Sequence, residues 1–130
     1  MNPRRPSLIP VLLLLACAAG ARAQSPPESP PFDPLHAEKS IEIGNYYMKK
    51  GNYDAAIERF QDAARLKPNF ARPYLLLGEA YEKKRDKAEA VKAYRKYLEI
   101  LPSAEDAGKI RKRIEKLSRE LERAARRGSG

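Results

Sequence analysis

The chain has no tryptophan, a single cysteine and a single histidine among its 130 residues. With only Cys17 present, no internal disulfide can form, so the fold must be stabilised by apolar packing alone. His36 is the only histidine, and no His, Cys and Asp cluster has the spacing of a metal site. No glycine-rich phosphate loop follows a strand pattern. These absences argue against catalysis, and we expect neither an enzyme nor a cofactor.

The charge balance is basic but mixed along the chain. Lys and Arg number 26 against 17 Asp and Glu, a net charge of +9. Without residues 1–23 the chain would keep 23 basic and 17 acidic residues, a net charge of about +6. Such an excess fits an ordinary solvated surface. It also fits attraction to anionic surfaces such as phospholipid head groups or acidic proteins.

Residues 1–23 have the three-part layout of an export signal. Arg4 and Arg5 give a positive start, the run from Leu8 to Ala19 is almost entirely apolar, and small residues follow. The apolar run has twelve residues, whereas a membrane-spanning helix needs about 20. We therefore predict a cleaved signal peptide, with a retained membrane anchor as the alternative.

Two cleavage sites compete within this segment. The residues ARA before Gln24 place small side chains where signal peptidase requires them, and cleavage there leaves a soluble product without cysteine. The residues LLAC, ending at Cys17, are similar to the bacterial lipobox, whose cysteine carries acyl chains. We expect cleavage after Ala23, with lipidation and membrane association through Cys17 as the alternative. Either product would be exported to the periplasm or cell envelope.

Residues 24–35, QSPPESPPFDPL, contain five prolines. Proline removes a backbone donor and cannot continue a helix. This composition predicts an extended, disordered linker between the signal peptide and the folded domain.

From residue 37 the sequence repeats itself with a period of 34. The matched pairs are Gly44 and Gly78, Tyr47 and Tyr81, Ala56 and Ala90, Phe60 and Tyr94, and Pro68 and Pro102. This period and pattern resemble the tetratricopeptide repeat, or TPR. The resemblance implies an all-α fold in which helix-turn-helix repeats form a short right-handed α-solenoid. One repeat would span residues 36–70 and the second residues 71–104.

The same residues predict paired helices from their chemistry. Gly44 lets a neighbouring helix come near because it has no side chain. Apolar residues recur at helical spacing, which predicts helices over residues 36–50, 53–66, 73–84 and 87–101. The turn residue that matches Gly51 is Arg85. The second turn therefore either has a non-glycine residue in the left-handed conformation or has a different shape.

Beyond Pro102 a long amphipathic helix is predicted. Ser103 would cap this helix, and Asp106 three residues later would complete a capping box. Its apolar stripe follows steps of three and four: Ala107, Ile110, Ile114, Leu117, Leu121 and Ala124. We assign residues 105–127 to a helix that caps the second repeat, and residues 128–130 to a disordered tail. A coiled-coil seam with a second copy is the alternative, since two repeats are fewer than the usual minimum of about three.

The TPR resemblance implies a groove, lined by the first helix of each repeat, in which a partner peptide or helix lies. Repeat position assigns the following residues to this groove: Glu38, Ile41, Asn45, Met48, Lys49, Arg72, Leu75, Glu79, Glu82 and Lys83. Asn45 falls where many peptide-binding members keep an asparagine. The lysine of the clamp that holds a terminal carboxylate is replaced by Ile41, which argues against such a clamp.

These observations predict a protein-interaction or scaffold module of the bacterial cell envelope. Its partner would be a protein or peptide rather than nucleic acid. Two alternatives stay open. The chain could be a structural protein that forms homodimers through its last helix, or it could bind anionic envelope surfaces peripherally.

Overall fold

A computed structural model describes residues 32–128, which form five helices and no strand. The helices are α1 (Pro34–Lys49), α2 (Tyr53–Leu66), α3 (Ala71–Lys83), α4 (Lys87–Ile100) and α5 (Ala107–Gly128). Each helix packs against the next along the chain. The predicted all-α fold of consecutive helix pairs is confirmed. Within residues 32–128, no helix is both long enough and apolar enough to traverse a bilayer.

The predicted signal peptide, Cys17 and residues 24–31 lie outside the described residues, as do residues 129 and 130. Cleavage after Ala23 and lipidation of Cys17 therefore stay predictions. Pro34 and Leu35, which the prediction placed in the linker, belong to α1, and this corrects the linker's boundary at residue 35. α1 begins at Pro34, a position where the missing amide N–H of proline breaks no helix hydrogen bond.

Asp33 fixes the start of α1. Its carboxylate accepts a hydrogen bond from the backbone N–H of His36 at 3.0 Å. Its own N–H donates to the carbonyl of Leu66, also at 3.0 Å. This residue thus caps α1 and ties it to the end of α2.

Each helix pair is closed by an aromatic ring that lies on a glycine of the facing helix. Phe60 of α2 and Tyr94 of α4 are completely buried. A Cβ atom at Gly44 would come within 2.7 Å of Phe60 Cδ1, and one at Gly78 within 2.7 Å of Tyr94 Cζ. No side-chain carbon tolerates so short a contact, so only glycine permits this close approach of the helices.

The apolar core continues from the repeats into α5. Phe60 packs in one cluster with Leu77 of α3, which joins the two repeats. Tyr97 of α4 packs in a second cluster with Ile110 and Leu117 of α5. Ile110 and Leu117 are buried in this contact. α5 therefore caps the second repeat, and it does so with the apolar stripe that a coiled-coil seam would need.

α5 begins at Ala107, later than the predicted cap at Ser103 would allow. The carbonyl of Asp106 accepts the first α-helical hydrogen bond, from the N–H of Ile110 at 3.0 Å. The side chain of Asp106 accepts from the hydroxyl of Tyr97 at 2.6 Å. Burial and this hydrogen bond raise the pKa of Tyr97 to about 12. The contact with α4, rather than a capping box, fixes where α5 begins.

The turns inside the two repeats have the same conformation although one has glycine and the other arginine. Gly51 and Arg85 both have positive φ, 73° and 66°. In each turn the residue after the left-handed one donates its N–H to the carbonyl five residues back: Asn52 to Tyr47, and Asp86 to Tyr81. These are the hydrogen bonds of a Schellman motif. Arg85 therefore occupies a conformation that costs an L-residue roughly 1 kcal/mol.

We expect Gly78→Ala to destabilise the protein by about 2 kcal/mol, because the added methyl group meets the buried ring of Tyr94. Gly108→Ala is the matched control, since a Cβ atom there meets nothing within 4 Å. We expect this control to be stabilised by about 0.5 kcal/mol, the usual gain for alanine over glycine in a helix. Urea unfolding followed by circular dichroism measures both. A Gly78→Ala protein as stable as the original would refute the close ring contact.

The strained turn gives a second prediction. Arg85→Gly should raise the free energy of unfolding by roughly 0.5 kcal/mol, because relief of the positive φ outweighs the added entropy of the unfolded chain. Gly51→Ala should lower it by about 1 kcal/mol for the converse reason. Thermal unfolding of the two variants tests this pair. Destabilisation by Arg85→Gly would show that the arginine side chain contributes more than its backbone strain costs.

Candidate functional site

The first helices of the repeats and the capping helix line one cavity of about 480 Å³. Its lining comes from α1, α3, α4 and α5: Met48, Glu79, Glu82, Lys83, Tyr94 and Arg113. Four of these residues, Met48, Glu79, Glu82 and Lys83, are ones that repeat position assigns to the groove. The structure therefore brings this part of the predicted groove together, and α5 forms its third wall.

The other predicted groove residues are distributed along the same two helices. Glu38 of α1 and Arg72 of α3 form an ion pair at 3.9 Å, and both side chains are about half exposed. Asn45 is half-buried and Lys49 exposed on α1, and neither lines the 480 Å³ cavity. Leu75 is half-buried and packs against the core of the second repeat. The side chain of Leu75 therefore contributes to the core as well as to the groove.

Ile41 does not belong to the groove. Its side chain is 1% exposed and packs in a buried cluster with Ala37 and Ala63. Phe70, in the loop before α3, is packed against the same cluster. An enclosed isoleucine cannot contact a partner, so this groove assignment is corrected. A lysine at this position would have to lose most of its hydration, which strengthens the argument against a carboxylate clamp.

Three polar side chains meet on one wall of the cavity. The hydroxyl of Tyr94 donates to Glu82 Oε1 at 2.8 Å. Arg113 Nε lies 3.1 Å from the same oxygen, and Arg113 Nη1 donates to the hydroxyl of Tyr94 at 3.2 Å. Burial first, and then the bond to Glu82, raise the pKa of the Tyr94 phenol well above its ordinary value. The phenol therefore stays protonated at neutral pH and holds α3, α4 and α5 together.

Sequence reasoning missed Tyr94 and Arg113 as groove residues. Tyr94 was assigned a structural role, and its hydroxyl reaches the cavity because the buried ring points across the helix pair. Arg113 lies on α5, where the period of 34 ends. Counting 34 residues on from Glu79, a predicted groove residue, nevertheless reaches Arg113. That spacing was the signal that α5 lies beside the groove in the position of the first helix of a further repeat.

The cavity contains two charged side chains that are available to a partner, Glu79 and Lys83. Within the described part of the chain, Glu79 and Lys83 make no side-chain hydrogen bond and no ion pair. Met48 adds an adaptable apolar contact beside them. Across residues 32–128, no three His, Cys, Asp or Glu side chains are grouped as a metal ion would require. The site is suited to contacting polypeptide through charge, hydrogen bonds and a small apolar surface.

Comparisons with known proteins agree with this architecture. The model of a family described as tetratricopeptide repeat matches residues 41–105, half of the chain. The chain is also similar to Hsp70-Hsp90 organizing protein 3 of Arabidopsis thaliana, with 33% identity over 72 residues. The aligned part is 55% of this chain but only 13% of that relative. The chain therefore spans a small part of the relative it matches.

We expect the Glu82–Arg113 ion pair to show a coupling free energy of about 0.5–1 kcal/mol, because both side chains are partly shielded from water. A double-mutant cycle of Glu82→Gln and Arg113→Gln, followed by urea unfolding, measures it. The exposed pair Glu115–Arg119 on α5 is the control, with an expected coupling of about 0.3 kcal/mol. Coupling no larger than in the control would mean that Arg113 does not fix α5 to α3.

Proposed function

This chain belongs to the tetratricopeptide repeat family, and from that premise we propose that it is a non-enzymatic interaction module whose groove binds a segment of a partner protein. Repeats of this family generally mediate protein–protein interaction. The observation that carries the proposal is the cavity between α1, α3 and α5, in which Glu79 and Lys83 make no side-chain hydrogen bond or ion pair with any part of residues 32–128. A partner segment would supply the opposite charges and the backbone hydrogen bonds.

The groove chemistry limits what the partner presents. Glu82 and Arg113 neutralise one another, so the cavity does not act as a concentrated positive site. Ile41 is buried where a clamp for a terminal carboxylate has its lysine. We therefore propose an internal segment with both acidic and basic side chains, bound as an extended peptide or as a helix. The relative's name connects it with Hsp70 and Hsp90, but a chaperone tail held by its terminal carboxylate fits this groove poorly.

We propose further that this binding takes place in the bacterial cell envelope. The support is in the sequence: Arg4 and Arg5, the apolar run from Leu8 to Ala19, and the small residues that end at Ala23 have the layout of an export signal. The product would be soluble after cleavage at Ala23. If Cys17 were instead acylated, the proline-rich segment would act as a tether between the membrane and α1.

Self-association through α5 has less support than partner binding. A homodimer of that kind needs the apolar stripe of α5, and Ile110 and Leu117 are already buried against α4. Of the stripe, only Ala124 is exposed. An alanine alone provides too little apolar area for a stable seam between two copies.

The groove is tested by affinity capture of the tagged full-length protein from the cells that produce it. We expect Glu79→Gln with Lys83→Gln to reduce recovery of the partner at least about tenfold, because two charge-assisted contacts are lost. The matched control is Glu58→Gln with Arg95→Gln, which removes the same charges from exposed positions on α2 and α4. Bound proteins are identified by mass spectrometry.

Equal losses in both double variants would contradict binding in the groove. Capture of only the untagged copies of the chain itself, unchanged in the groove variant, would favour self-association instead.

A further inference from the structure

The positive charge of the folded domain is concentrated in α5. Residues 32–106 contain 14 basic and 13 acidic side chains, so the two repeats are nearly neutral. α5 contains nine basic and three acidic side chains in 22 residues. The excess of the whole domain therefore belongs to one helix at one end of the fold.

The basic residues of α5 form a continuous ridge on the side that faces solvent. They recur at steps of three and four, which places them along one face of a helix. The ridge consists of Lys109, Lys112, Lys116, Arg119, Arg123 and Arg126, all exposed. From its first to its last residue the ridge measures about 26 Å at the usual helical rise. No acidic residue occupies any of these six positions.

The ridge lies opposite the face that packs on α4. Nine residues separate Ile110 from Arg119, which is two and a half turns of an α-helix. Ile110 is buried against α4, so Arg119 points directly away from the core. A planar surface can therefore approach the ridge without any change in the packing of α5.

The ridge is also poor in intramolecular partners, unlike the charges of the repeats. Lys39, Lys92 and Lys96 each pair with a glutamate three residues away. Among residues 32–128, only Arg119 of the ridge forms an ion pair, to Glu115 at 3.4 Å, and both of these side chains are largely exposed. Lys116 and Arg123 interact more weakly with Glu120, whose pKa they help to lower. Like charges three and four residues apart repel one another within a helix. An anionic surface would remove that repulsion.

We propose that this ridge is a second docking surface, and that it binds the anionic head groups of a phospholipid membrane. α5 has no aromatic side chain on which bases could stack, which favours head groups over single-stranded nucleic acid. The apolar face of α5 is occupied by α4, which means that the helix rests on the head groups and does not insert.

The rest of the chain favours a membrane over other anionic partners. An export signal in residues 1–23 would bring the chain to a membrane, and acylation of Cys17 would anchor it there. A polybasic surface is a common second attachment beside a lipid anchor. This proposal does not depend on the groove, which lies on other residues of the fold.

The test is binding of the full-length protein to phosphatidylcholine vesicles with and without phosphatidylglycerol, measured by co-sedimentation. The difference between the two vesicles is the readout, because the apolar run from Leu8 to Ala19 could bind either. The test variant carries Lys112→Gln, Lys116→Gln and Arg123→Gln. The control carries Lys92→Gln, Arg95→Gln and Lys96→Gln, which remove the same charge from α4. Circular dichroism confirms that both variants fold.

We expect tighter binding to anionic vesicles that weakens with salt. The α5 variant should lose about 100-fold in affinity, roughly fivefold for each basic residue. The α4 control should change less than about threefold, because its residues lie outside the ridge. Equal losses in the two variants, or equal binding to both vesicles, would overturn the proposal. Displacement from anionic vesicles by duplex DNA at equal phosphate concentration would also overturn it and assign the ridge to nucleic acid.

Discussion

The contact between a buried aromatic ring and a helix glycine is the constraint on which the rest of this fold depends. Phe60 lies on Gly44 and Tyr94 lies on Gly78, and neither glycine has room for a side chain. The two contacts differ in the hydroxyl oxygen that tyrosine has and phenylalanine lacks. The ring of Phe60 ends inside the core, whereas the hydroxyl of Tyr94 reaches Glu82 and Arg113. The packing contact of the second repeat thereby also organises one wall of the groove and fixes the capping helix.

Most of the fold could be predicted because the residues that form it recur at a fixed interval. Gly44, Phe60 and their counterparts 34 residues later indicated the helix pairs, and α2 was predicted with its observed bounds. The sequence did not indicate that Ile41 would be buried. Repeat position describes the side of a helix, but at Ile41 that side of α1 packs in a buried cluster with Ala37 and Ala63. The turn at Arg85 kept its shape because hydrogen bonding outweighs the strain of one positive φ.

The candidate site was predicted only in part, and the reason is the same period. Met48, Glu79, Glu82 and Lys83 were found because they lie within the two repeats. Arg113 was missed because the matched motif residues stop at Pro102 and α5 carries no repeat signature, although Arg113 lies 34 residues after Glu79. The start of α5 depends on the hydrogen bond between Tyr97 and Asp106, a contact between helices that local sequence does not reveal. Tertiary contacts, rather than local preference, decide these details.

The central claim is that the partner binds between α1, α3 and α5, and site-specific photo-crosslinking in the producing cells tests it most directly. A photoreactive amino acid at Met48, which lines the cavity, should crosslink to one partner protein. The same group at Lys92 or Arg95, on the exposed side of α4, should not crosslink to that protein. Crosslinks to that protein from α4 alone, or crosslinks only to a second copy of the chain, would contradict the account.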